Sequence, residues 1–135
     1  MIKHCYPLKV YYKDIDQMGI VYYSRYFEYF EEARTEMLAA IGLKYSEVEA
    51  QGFMLPVIEA HAEYKKGASF EDEIIIEAKI AEPPKARLKI RYEVKLKEGD
   101  DLLMKGYTIH AFTNRAGRPV KAPKHILDVI NPYFN

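Results

Sequence analysis

The sequence predicts an α+β domain in which one long helix lies on one face of an antiparallel sheet. Two observations carry that expectation. From about Tyr26 to Ile41 the apolar residues fall at helical spacing, and four strand-like segments follow, three of them alternating apolar and polar residues with period two. Short turns separate those four segments, which favours antiparallel neighbours, because parallel strands need long crossovers. A helix confined to one face of such a sheet defines the class.

In chain order, Leu8, Val10 and Tyr12 alternate with Lys9, Tyr11 and Lys13 and read as a first strand. Asp14 to Tyr23 breaks any period, and its two acids and Gly19 mark a shaped loop. In the long helix, Phe27, Phe30, Ala33, Met37, Leu38 and Ile41 share one side, with Glu28, Glu31, Glu32 and Glu36 largely elsewhere. Gly42 stands where a C-terminal cap belongs. Ser46 to Glu49 has the spacing of a capping box for a second, short helix that Gly52 can end. Strands are expected over Ile58–Lys65, Ile74–Ile80 and Arg87–Lys97, the second stopped by Pro83-Pro84. Gly99-Asp100-Asp101 turns the chain into Leu102–Thr113, apolar on both sides as in a strand covered on both faces. Asn114 to Pro119 is turn chemistry, and His125 to Ile130 suits a short last helix.

The chain of 135 residues reads as one domain, 1–135. Its 12 Tyr and 6 Phe are a high aromatic load, and surplus aromatic surface tends to enter ligand pockets or subunit interfaces. An oligomer is expected. Twenty basic and 20 acidic residues give no net charge, which argues against a dedicated nucleic-acid binder. The lone Cys5 offers no internal disulfide, and no apolar run suits a signal peptide or a membrane span. The expectation is a soluble, cytoplasmic protein without a membrane or nucleic-acid partner.

His4, His61, His110 and His125 are scattered without metal-ligand spacing, so no metal and no cofactor are expected; His61 and His110 read as packing or surface residues. Phosphate-loop, dinucleotide and Gly-x-Ser-x-Gly patterns are missing. What remains is Asp14-Ile15-Asp16-Gln17-Met18-Gly19-Ile20-Val21-Tyr22-Tyr23, a loop entering an amphipathic helix. A helix N-terminus exposes unpaired N–H groups that can stabilise an oxyanion, and a carboxylate nearby can attack a carbonyl or deprotonate water. Aspartates there also serve as turn formers and caps, and pattern alone leaves both roles open.

Tyr12 to Tyr26, read as Tyr-Lys-Asp-Ile-Asp-Gln-Met-Gly-Ile-Val-Tyr-Tyr-Ser-Arg-Tyr, resembles the signature of the 4-hydroxybenzoyl-CoA thioesterase family, in particular its Tol-Pal-associated acyl-CoA thioesterase branch. Tyr29 to Leu38, Phe70 to Glu73 and Gly117 to Pro123 extend the similarity over nearly the whole chain. The resemblance implies the hotdog fold, an antiparallel sheet wrapped around a central helix. It also implies sheet-to-sheet dimers, often paired into tetramers, with active sites between subunits. The function implied is hydrolysis of a small to medium acyl-CoA, with a non-catalytic acyl-CoA-binding protein as the alternative. The catalytic aspartate of the family matches Asp16, and its carbonyl-polarising amide matches the backbone N–H of Tyr23. Many members of the branch carry His at Tyr23; here the tyrosine is available to line the acyl pocket.

Further substrate-binding candidates follow. Gly19 stands for a close approach or a positive φ beside the thioester, or for an ordinary turn glycine. Tyr22, Tyr26 and Tyr29 form either an aromatic wall for the acyl group or part of the core and interface. Glu31 is the second-choice acid, and otherwise pairs with Arg34. Asp14 reads as a loop-shaping acceptor. Lys85, Arg87 and Lys89 suit the CoA phosphates, near which the family binds its nucleotide, or else belong to a solvated sheet face. A hotdog dehydratase needs a histidine-led motif absent here, and no residue independently supports a purely structural subunit.

Overall fold

The computed structural model describes residues 1–134. The chain runs β1 (Ile2–Lys9), α1 (Arg25–Ala40), α2 (Tyr45–Ala50), β2 (Phe53–Met54), β3 (Val57–Tyr64), β4 (Glu73–Ile80), β5 (Arg87–Leu96), β6 (Leu102–Ala111), β7 (Thr113–Asn114) and α3 (Lys124–Ile130), with short 3-10 turns at Tyr12–Asp14 and Asn131–Phe134. Five strands form one sheet in the order β1-β4-β5-β6-β3, every pair antiparallel, and β2 and β7 make a small ribbon.

Period two sorts the sheet into two unlike faces. Ile74, Ile76, Ala78, Ile80, Leu88, Ile90, Tyr92 and Val94 are buried on the inner face. Their neighbours Glu77, Lys79, Lys89, Arg91 and Glu93 form the outer, charged face, where the Lys89 ammonium sits 4.3 Å from the centre of the Tyr107 ring and His61 stacks on the same ring. On the inner face lies α1, whose Phe30, Ala33 and Met37 have no exposed surface. The Phe30 ring stacks on Tyr92 with centroids 4.0 Å apart and planes 6° from parallel. Gly106 makes room for this: a Cβ there would stand 3.2 Å from the Phe30 ring and 2.3 Å from the His61 carbonyl oxygen.

The helix stops as expected. Gly42 has φ +90°, its N–H donates to the Ala39 carbonyl at 3.1 Å, and Leu43 donates to Leu38 at 2.8 Å, which is a Schellman cap. Two local readings are corrected. The first strand covers Ile2–Lys9 rather than Leu8–Lys13, because Tyr11 N–H donates to Asp14 Oδ2 and turns the chain into a 3-10 helix. Val10 is tied instead to the segment before β4, bonding to both Glu71 and Asp72. The second helix begins at Tyr45 with Lys44 as its N-cap and no side-chain cap, so the Ser46–Glu49 box does not form. The final strand likewise ends at Ala111, and Thr113 turns off to pair with Met54.

The two sheet edges differ. Edge strand β1 contains Pro7, which offers no N–H and blunts pairing. The other edge, β3, has no proline, and Val57, Ile58 and Tyr64 are 43%, 47% and 48% exposed. A bare, half-apolar edge is a pairing template.

Beneath α1 runs a buried polar chain. Tyr92 and Thr108 hydroxyls are 2.7 Å apart, Thr108 Oγ1 and His110 Nε2 are 2.9 Å apart, and His110 Nδ1 is 2.9 Å from the Leu55 carbonyl. A carbonyl only accepts, so Nδ1 carries the proton of the neutral ring. Thr108 therefore donates to Nε2, and Tyr92 donates to Thr108. Burial, with the Arg34 charge acting in the same direction, lowers the His110 pKa from 6.5 to about 4. A histidine that stays neutral in the fold stabilises fully above its unfolded value and loses that stability as pH falls through the folded one. Between pH 6.5 and about 4 the free energy of unfolding is expected to drop by on the order of 3 kcal/mol in all, and His110→Asn is expected to flatten this dependence. Equal acid sensitivity of the two proteins by urea titration would contradict the assignment.

Candidate active site

The loop expected to carry chemistry is a tight hairpin. Gly19 N–H donates to Asp16 C=O at 3.0 Å and Asp16 N–H to Ile20 C=O at 2.9 Å, and Gly19 has φ +80°. This is a turn closed by a glycine bulge, a conformation that disfavours any side chain at residue 19. The space a Cβ would enter is open, so the positive φ rather than a close approach demands glycine in this chain. Ile15 bridges Val21, and Val21 N–H donates to Ala68, which fastens the hairpin to the segment before β4.

Asp16 is partly exposed, and its two oxygens are treated differently. Oδ1 accepts from Met18 N–H at 2.8 Å and, more weakly, from Ile20 N–H at 3.5 Å. Oδ2 has no partner among the described residues. One oxygen fixes the carboxylate and the other is left for a ligand. The nearby Asp14 is a different case: it is 5% exposed and its carboxylate holds Tyr11 N–H, which suits the shaping role expected of it.

Asp14 C=O also accepts Tyr22 N–H at 2.9 Å, which brings the loop against the start of α1. Tyr22 C=O accepts Arg25 N–H at 2.9 Å and so points into the helix. In a trans peptide the N–H on the far side of that unit points the opposite way. That N–H belongs to Tyr23, and it donates to no acceptor among the described residues. The next peptide is held too, since Tyr64 at the end of β3 donates its hydroxyl to Tyr23 C=O at 3.0 Å. The Tyr22 and Tyr23 rings lie 4.3 Å apart with hydroxyls 2.9 Å from each other. That hydrogen bond chiefly, with the Asp16 charge as a lesser cause, raises the Tyr22 pKa, so the carboxylate and this aromatic pair share one surface. Tyr26 and Tyr29 are 2% and 5% exposed and lie in the core, leaving Tyr22 as the exposed member of the three.

A second feature lies at the opposite end of β3. A groove of about 1020 Å³ is floored by Pro84, Phe112 and Val120 and rimmed by Lys85, Arg87 and Lys121, with Ile58 of β3 in its wall. Lys89 is not part of it and belongs to the outer face over Tyr107. From Ile58 to Tyr64 is six strand steps, so the groove and the Asp16–Tyr23 end stand about 20 Å apart in one chain. Glu31 forms no ion pair with Arg34, contrary to the pairing expected from their spacing; Arg34 turns inward beside the Tyr92 hydroxyl.

Residues 10–130 match the family described as the thioesterase-like superfamily. The chain belongs to that family. Its architecture is the hotdog fold, α+β with the sheet wrapped on α1. It is 34% identical over 125 residues to a putative esterase of Aquifex aeolicus, which spans 93% of this chain and 95% of the relative. It is 31% identical over 124 residues to a Haemophilus influenzae protein named acyl-CoA thioesterase YbgC, over 90% and 89% of the two chains. The crystal structure of a hypothetical protein from Thermus thermophilus, 34% identical, superposes with a TM-score of 0.87 over 95% of this chain and 97% of that one.

Within this thioesterase-superfamily chain, sequence reasoning missed Tyr64 and Lys121. Tyr64 reads in sequence as one more apolar member of an alternating strand, and only the fold brings its hydroxyl to Tyr23. Lys121 lies about 35 residues from Lys85 and reaches the same groove through the Thr113–Pro119 bridge. No local signal marks either. Among the described residues no helix is long and apolar enough to cross a membrane, and no cluster of His, Cys, Asp or Glu could hold a metal ion.

Proposed function

We propose that this chain hydrolyses acyl-CoA thioesters to free CoA and a carboxylic acid, with Asp16 as the reacting carboxylate. The observation that carries the reading is the pairing of a half-anchored carboxylate, Oδ2 free, with the free N–H of Tyr23 at the start of α1. The N–H donates to the thioester oxygen and stabilises the negative charge that grows there as the carbonyl carbon becomes tetrahedral. Asp16 Oδ2 either bonds to that carbon, expelling the thiolate and leaving an anhydride that water then cleaves to the acid and free Asp16, or takes a proton from a water that attacks the carbon and expels the thiolate directly. Relatives named as acyl-CoA thioesterases support the choice of substrate class.

The same reading assigns the nucleotide end of CoA to the groove with Lys85, Arg87 and Lys121, whose cations suit its phosphates. Within one chain a single CoA arm would have to run almost fully extended along the length of β3 to reach both features. Two chains paired antiparallel along the bare β3 edge place opposite ends of β3 side by side, so the groove of one protomer meets Asp16 of its partner. We therefore propose a dimer with two shared sites. Further association of dimers into a tetramer and a cytoplasmic setting belong to the same proposal.

The test is thiol release from a panel of aliphatic and aromatic acyl-CoAs without added metal. Turnover of at least one supports the reading; saturable binding with no turnover of any would favour the binding-protein alternative. For the groove, Arg87→Gln with Lys121→Gln is expected to raise KM for acyl-CoA by about tenfold or more, since each cation makes a charge-assisted contact. The corresponding acyl-N-acetylcysteamine thioester, which lacks the nucleotide, should be turned over unchanged. Equal effects on both thioesters would remove the groove from the substrate path.

A further inference from the structure

A separate cavity of about 310 Å³ lies between α1 and strands β5 and β6. Leu38, Leu55, Leu88 and Ile90 wall it with hydrocarbon, while Glu31, Arg34, Thr35, Tyr45 and His110 supply its polar surface. His110 has nothing to offer a ligand, since both ring nitrogens are engaged in the chain that runs to Leu55. Tyr92 and Thr108 are spent in the same chain, because each donates its one proton inward. Arg34 differs. Its guanidinium is partly buried beside the Tyr92 hydroxyl, whose oxygen can accept one of its five N–H groups. It forms no ion pair among the described residues, although Glu31 lines the same cavity. Arg34 itself lines the cavity, beside both its hydrocarbon wall and its polar groups. A partly buried guanidinium with no salt bridge to the neighbouring Glu31 keeps donors available, and its planar fork matches a carboxylate in two-point geometry.

We propose that this cavity is a subsite for a carboxylate carried on a short apolar body, with Arg34 as the group that holds it. The carboxylate comes either from a free organic acid or from the far end of an acyl group, and the second source alone rests on the thioesterase reading. The volume of about 310 Å³ admits a six-carbon acid without filling it completely.

Two arms distinguish the sources. In the first, hexanoate and the neutral hexanol are titrated calorimetrically into the wild type, Arg34→Gln and Thr35→Tyr. Thr35 is exposed on α1 at the cavity mouth, so its enlargement blocks entry without touching the buried chain, and melting temperatures confirm that each variant folds. In the second, thiol release from hexanedioyl-CoA is compared with hexanoyl-CoA. Hexanoate binding that exceeds hexanol binding and falls tenfold or more in both variants supports a site for a free acid. A tenfold preference for hexanedioyl-CoA in kcat/KM, lost in both variants, supports the acyl source. No saturable hexanoate binding together with equal use of the two thioesters overturns the proposal. Failure to cleave any acyl-CoA overturns the thioesterase reading while leaving the first arm to decide the subsite by itself.

Discussion

Replacing Asp16 by Asn is expected to lower thiol release from acyl-CoA by about 100-fold or more while leaving the melting temperature within a few degrees of wild type. Asparagine keeps the oxygen that accepts Met18 N–H at 2.8 Å, so the hairpin around Gly19 stays closed. What changes is Oδ2, which becomes an amide nitrogen that can neither attack a carbonyl nor take up a proton. The separation of the two effects matters, because an aspartate that only shaped the turn would tolerate this change in both measurements. Asp14→Asn is the internal contrast: its carboxylate is buried and committed to Tyr11 N–H, so stability rather than the chemical step should respond. A fully active Asp16→Asn enzyme in a thiol-release assay would remove Asp16 from the chemistry.

The largest loss of stability is expected from Phe30→Ala. The ring has no exposed surface, is stacked 4.0 Å from Tyr92, and sits over the Cβ-free surface of Gly106. Removing it leaves a cavity that a sheet on one side and a helix on the other cannot close. The cost is about 4 kcal/mol, made up of lost transfer free energy and the residual void. In a chain of this length that corresponds to a fall in Tm of roughly 15 °C. A fall of less than about 5 °C by circular dichroism would mean that the layers collapse onto one another far more easily than the packing implies.

These two residues also mark what the sequence makes legible. Phe30 falls on the apolar side of a strongly periodic helix, so its burial can be read directly from spacing. The charged face and buried face of β4 and β5 follow in the same way from alternation. Periodicity misleads at β1, where Leu8, Val10 and Tyr12 do alternate but the chain has already turned, because a side chain three residues on captures Tyr11 N–H. It misleads again at Arg34, whose spacing from Glu31 suits an exposed pair but whose side chain turns toward Tyr92. Asp16 could be singled out only once its neighbours resembled a family, since a loop aspartate has several ordinary uses. Tyr64, Lys121 and the Tyr92–Thr108–His110 chain are tertiary coincidences. They lie 16 to 55 residues from some of the groups they meet or in different elements, and no local pattern carries that information.

The active unit, on this account, is built from two chains, and subunit mixing tests that most directly. Asp16→Asn protein and Arg87→Gln/Lys121→Gln protein are each purified, mixed under conditions where native mass spectrometry shows hybrid dimers, and assayed by thiol release at low acyl-CoA concentration. A hybrid with shared sites gathers both lesions into one site and leaves its other site intact. Random exchange should therefore restore about one quarter of wild-type activity from two poorly active parents. If hybrids form and activity stays at the level of the parents, Asp16 and the groove act within the same chain and the shared-site account is wrong.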